Sequence, residues 1–156
     1  KFSKENEFIS DKIAAQHYGV NVFEDALLKY SIESIIFENN VYRNLREFNE
    51  KNVFIKNLYE TFRIFRKNEV KKGQIQKLKD ALLRIKESPK FSPYPTISER
   101  IEHVRSYSLK EKENRNNAAS SIFKYQKRLE KELTGYLNKI VLNIEESQKE
   151  DVAPKH

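Results

Sequence analysis

Residues 62–80 read "FRIFRKNEVKKGQIQKLKD". Phe, Ile and Val sit among a dense series of Arg and Lys. Such a stretch is either a docking surface for a polyanion or the solvated side of two ordinary helices. Spacing begins to separate these readings. Ile55, Leu58, Phe62 and Phe65 recur at steps of three and four, as do Ile75, Leu78, Leu82 and Ile85. That rhythm places each set on one face of an α-helix. Gly73 lies between the sets and would cost about 1 kcal/mol inside a helix. The pattern therefore predicts two helices joined by a turn at 71–73, with Phe62 and Phe65 in the core and not serving as stacking platforms. Asn52 is a candidate N-cap for the first of them.

The same rhythm extends outward in both directions. Phe8, Ile9, Ile13 and Ala14 predict a short helix over 8–18 that stops at Gly19. Asn21 and Glu24 match a variant of the capping box. The next stripe runs through Phe23, Leu27, Tyr30, Phe37, Val41, Leu45 and Phe48, with Asn39-Asn40 as a kink or a break. Downstream, "SPKFSPYPT" at 88–96 holds three of the four prolines. Prolines lack the amide donor and push the preceding residue away from helix, so this is the strongest boundary in the chain. Phe91 and Tyr94 are expected to pin that connector to the body. The alternative, an exposed proline-rich ligand, lacks a PxxP spacing.

Thr96 and Glu99 form a capping box ahead of Ile97, Ile101, Val104 and Leu109. Apolar spacing fades through 110–117, "KEKENRNN". It returns as Ile122, Tyr125, Leu129, Leu133, Tyr136, Ile140 and Ile144 in a long last helix. Gly135 lies inside that helix, where a missing side chain lets a neighbour approach closely. Glu residues in "LEKEL" and "IEESQKED" are expected on solvated faces. The predicted fold is all-α, a single-domain bundle of five or six amphipathic helices over 8–146. A flexible N-terminal tether at 1–7 and a disordered tail at 147–156 flank it.

Composition agrees with this architecture. Of 156 residues, 38% are apolar and 34% charged, and only 3 are Gly, too few for a small all-β domain built on turns. Ten Phe and eight Tyr favour a packed body over a disordered one. There is no Cys, which excludes a disulfide framework, a thiolate metal site and a Cys nucleophile within these residues. No apolar run approaches the roughly 18–20 residues of a membrane span. The chain starts at Lys1 without Met, as a processed chain would, with any signal peptide or anchor upstream.

Chemistry-bearing patterns are absent from the sequence. His17, His103 and His156 have no second His at the fourth residue, so no metal is expected. No GxSxG, P-loop or GxGxxG occurs, and no catalytic residue or cofactor is expected. What remains is charge. The net charge is +7. Between Arg63 and Lys90, ten cations face three carboxylates, a surplus of seven that equals the charge of the whole chain. Arg63, Arg66, Lys67, Lys71, Lys72, Lys77 and Arg84 form the candidate patch for a polyanion or an acidic partner. Lys79 and Lys86 flank the apolar face, where their stems can cover it.

The chain is rich in Lys, Asn, Ile and Glu (21, 14, 14 and 19 residues) and lacks Cys, Met and Trp. Together with "FRIFRKNEVKKGQIQKLKDALLRIKES" and "FKYQKRLEKELTGYLNKIVLNIEES", this style resembles the helical outer-surface lipoproteins of Borrelia spirochetes. The resemblance implies a lipid anchor upstream of Lys1 and a place on the bacterial outer membrane, exposed to the surface. It also implies a non-enzymatic role in host interaction and virulence: binding a matrix, plasma or complement component, either a host protein or an anionic polysaccharide. The alternatives are a cytoplasmic nucleic-acid-binding module and a structural or assembly protein.

Overall fold

A computed structural model describes residues 4–39, 45, 47, 48, 51, 55–109 and 124–152, with side chains of the last helix as far as residue 140. The described residues form six α-helices and no strand: α1 Lys4–Tyr18, α2 Val20–Phe37, α3 Leu58–Lys71, α4 Gln74–Arg84, α5 Ile97–Arg105 and α6 Gln126–Val152. The fold class is all-α, as the three–four rhythm predicts. The helices divide between two compact units: Lys1–Ser34 with Glu69–Asn116, and Ile35–Asn68 with Asn117–His156. The body expected as one domain over 8–146 is thus shared by two units, each built from two separate stretches of chain.

In the first unit, α1 ends at Gly19, whose φ of 95° is open to glycine and strained for other residues. Its N–H bonds to the Ala15 carbonyl at 2.8 Å, and its own carbonyl accepts from Phe23. The chain therefore turns within one residue. Asn21 lies inside α2 and does not cap it. Glu24 instead receives Arg105 through two bonds of 2.6 Å. Residues 4–7, expected in the tether, are already helical.

Leu27 and Leu28 of α2 pack with Ile101 of α5, and Phe23, Leu83 and Ile97 close around them. Thr96 and Glu99 form the capping box in full. Buried Ser98 donates to the Leu83 carbonyl at 2.8 Å, which ties the end of α4 to α5. The buried side of α1 is not its predicted stripe. Ile9 and Ile13 are about half exposed, whereas Asp11 and Ala15 are buried. Arg100 explains the inversion. It donates Nε and Nη2 to Asp11 at 2.7 and 2.6 Å and reaches Glu7 at 3.4 Å. Burying a carboxylate is costly unless a cation and hydrogen bonds accompany it, and Arg100 supplies both.

In the second unit, Leu45 and Leu58 form the buried centre, with Phe37, Ile55, Phe62, Phe65 and Leu137 against them. Phe37 and Phe62 meet edge to face at 5.6 Å. Phe62 and Phe65 are core residues, as their spacing predicts. The cap of α3 is Asn57, whose Oδ1 accepts from Tyr59 and Glu60 at 3.0 and 3.2 Å. Asn52, the expected cap, lies outside the described residues, and Ile55 precedes the helix. A π-type turn follows α2 at 38–39, while Asn40 and Val41 lie outside the described residues. The 110–117 stretch is outside them too. The tail expected at 147–156 is helical as far as Val152, and 153–156 are not described.

Two aromatic expectations are corrected. Tyr30 is 74% exposed and has no part in the α2 core stripe. Phe91 and Tyr94 do not pin the proline connector: they are 91% and 57% exposed. The loop is ordered by its own bonds. Ser92 N–H reaches the Pro89 carbonyl at 2.8 Å, and the Ser92 hydroxyl donates to the Tyr94 carbonyl at 2.8 Å. Three prolines and these local bonds fix the backbone without any need for the rings.

Candidate functional site

The seven cations of the candidate patch do not share one role. Arg63, Arg66 and Lys67 belong to one unit, and Lys71, Lys72, Lys77 and Arg84 to the other. Arg63 is withdrawn from the patch. It clasps Glu130 of α6 through Nη1 and Nη2 at 2.8 and 2.9 Å. Glu130 is 5% exposed and also accepts from Gln126 at 2.9 Å and Asn57 at 3.2 Å. The Arg63 guanidinium, above all, holds its carboxyl down at about 2, and the two amides add to that against the opposing effect of burial. Arg63 therefore neutralises an internal charge and offers none to a ligand. Arg66 is half-buried on α3, and Lys67 is exposed.

In the other unit, Gly73 turns the chain with a φ of 66°, and its N–H bonds to the Val70 carbonyl at 3.0 Å. The turn presents Lys71 and Lys72, both exposed. Lys72 reaches Glu69 at 3.4 Å, an exposed pair of little energetic weight. Beyond the turn, Ile75, Leu78 and Leu82 are half-buried while Lys77 and Arg84 point to water. Seven residues separate these two cations, so they lie on one side of α4 about 10 Å apart along its axis. Among the described residues, no ion pair engages Lys71, Lys77 or Arg84. Lys79 is half-buried beside the apolar face, as its flanking position predicts. Lys86 is held by Glu102 at 3.2 Å.

Other constellations turn inward. His103 stacks on Phe8 with ring centroids 4.2 Å apart, and its Nε2 meets the Tyr107 hydroxyl at 2.7 Å. Lys12 lies 4.2 Å above the Tyr107 ring. These groups use one another as partners. Among the described residues, no group of three His, Asp or Glu is placed to hold a metal ion. An open cleft of about 400 Å³ is lined by Val20, Asn21, Glu24, Arg105, Ser108 and Leu109. Its two charges, Glu24 and Arg105, are bonded to each other, so neither is left to seize a ligand. No described helix is long and apolar enough to cross a membrane.

Sequence patterns missed the ion pairs that organise both units. Glu130 lies in "LEKEL" and Asp11 in "FISDKIA", where nothing distinguishes a buried carboxylate from a solvated one. Their partners lie 67 and 89 residues away in sequence. No protein-family model, curated protein or solved structure matches the chain.

Proposed function

We propose that this is a non-enzymatic binding protein that captures a polyanionic macromolecule on the outer side of α4. The observation that carries this reading is the set Lys71, Lys77 and Arg84, exposed and not engaged in ion pairs, with weakly paired Lys72 beside them. A rigid helix holding separated cations suits a ligand with repeated negative charge, such as a sulfated polysaccharide. The setting suggested by the compositional resemblance is the outer surface of a bacterium, with the chain tethered by a lipid and the ligand supplied by the host. Phe62 and Phe65, the Phe rings within the basic stretch itself, pack inward and offer no base-stacking platform there, which favours the polysaccharide reading over the nucleic-acid one.

Heparin chromatography tests the proposal. Wild-type protein is expected to be retained at about 50 mM salt and released well before 1 M, because counterion release makes such binding steeply salt-dependent. The triple variant Lys71→Glu, Lys77→Glu, Arg84→Glu should pass through unretained with an unchanged circular dichroism spectrum. Wild-type protein that flows through at low salt would refute the proposal. Equal retention of the triple variant would move any binding elsewhere. A preference for one DNA or RNA sequence over heparin would transfer the function to nucleic acid.

A further inference from the structure

The first half of the apolar stripe of α6 is turned outward, while Ile140 further along it is half-buried. Tyr125, just before the helix, is 73% exposed, followed by Leu129 at 37%, Leu133 at 39% and Tyr136 at 64%. The face turned inward carries Glu130, Thr134, Leu137 and Asn138, roughly 100° further round the helix. Polar side chains there bond within the unit, although Asn138 Oδ1 is buried without a partner among the described residues. Thr134 Oγ1 accepts from the Leu58 N–H at 3.0 Å and donates to the Glu130 carbonyl at 2.7 Å. Asn138 donates to the Ile55 carbonyl at 3.2 Å. The helix cannot rotate to bury its apolar stripe without breaking these bonds and the Arg63–Glu130 clasp.

The close approach expected at Gly135 is not found among the described residues: the glycine is exposed, and a Cβ built there would meet nothing within 4 Å.

We propose that α6 is the interface of a two-fold symmetric dimer, in which the α6 helices of two copies pack antiparallel along the stripe. A symmetric interface must be complementary to itself under one axis. Here a single axis between Gly135 and Tyr136 sets Glu132 of each copy opposite Lys139 of the other. Both residues are exposed and lie on the same flank of the stripe. Among the described residues of one chain, Glu132 is held only by Arg128, at 2.8 Å on the surface. A parallel pair would instead place Glu132 against Glu132. A single helix pair covers an area at or below the roughly 1,200 Å² of small specific interfaces, so the dimer is weak and depends on concentration.

The chain has no Cys, which makes crosslinking decisive. Purified Glu132→Cys and Lys139→Cys chains, mixed and oxidised, should give a disulfide-linked dimer of one of each. Glu132→Cys alone should give little. In sedimentation equilibrium, wild-type mass should climb toward twice the chain mass as concentration rises. Glu132→Lys should shift that curve to at least tenfold higher concentration, and Glu132→Lys with Lys139→Glu should restore it. Leu129→Glu with Leu133→Glu should abolish association while leaving helix content intact. A wild-type monomer at every concentration overturns the proposal, including the case in which other parts of the chain cover the stripe and Leu129→Glu merely destabilises the monomer. Efficient crosslinking by Glu132→Cys alone, or a dimer indifferent to both charge variants, overturns the antiparallel arrangement.

Discussion

Replacing Arg63 by Ala leaves Glu130 buried without its guanidinium. The magnitude follows from the structure. An ordinary Glu titrates near 4.5, and Glu130 is held at about 2. At about 1.4 kcal/mol per unit, that difference corresponds to roughly 3.5 kcal/mol of stability at neutral pH. Asn57 and Gln126 supply part of this and survive the substitution, and Arg63 is itself half exposed. The share lost with Arg63→Ala is therefore about 2 kcal/mol, below the 3–5 expected for a fully buried pair. The sign of the pH dependence is fixed by the lowered carboxyl. Stabilisation is complete above about pH 4.5, where the unfolded chain is also ionised, and disappears as pH falls through about 2. At pH 3 about one unit remains, or roughly 1.4 kcal/mol in all. Urea unfolding followed by circular dichroism should show the Arg63→Ala penalty shrinking from about 2 kcal/mol at pH 7 to less than about 1 at pH 3. Glu130→Gln should flatten the wild-type loss of stability across the same window. A penalty below about 0.5 kcal/mol at pH 7, or an equal penalty at both pH values, would refute the assignment of Arg63 as the counter-charge.

Thr96→Ala removes the hydroxyl that accepts from Glu99 N–H at 3.1 Å, and thermal unfolding should report a loss of about 1 kcal/mol, the usual worth of an N-cap. Phe62→Ala should cost roughly 2–4 kcal/mol because its ring packs on Leu45, Leu58 and Phe37. Phe91→Ser should stay within about 0.5 kcal/mol of wild type, since its ring is 91% exposed; a penalty above 1 kcal/mol would mean that the ring is packed.

Local chemistry was legible from the amino acids alone. Helical rhythm, the stop at Gly19, the turn at Gly73 and the Thr96–Glu99 cap all depend on residues within a few positions of one another. The same holds for the inward Phe62 and Phe65 and the outward Lys71, Lys77 and Arg84. Spacing specifies these because a helix repeats its geometry every 3.6 residues. The choice between two amphipathic faces was not local. On α1 and α6, counting apolar residues selects the faces that bear Ile9, Ile13, Leu129 and Leu133, all of which lie outward. The faces that bear Asp11 and Glu130 lie inward, because Arg100 and Arg63 arrive from distant segments to compensate the buried charge. Only the tertiary structure brings such partners within hydrogen-bond distance, and without them a buried carboxylate would cost more than the apolar stripe opposite could return.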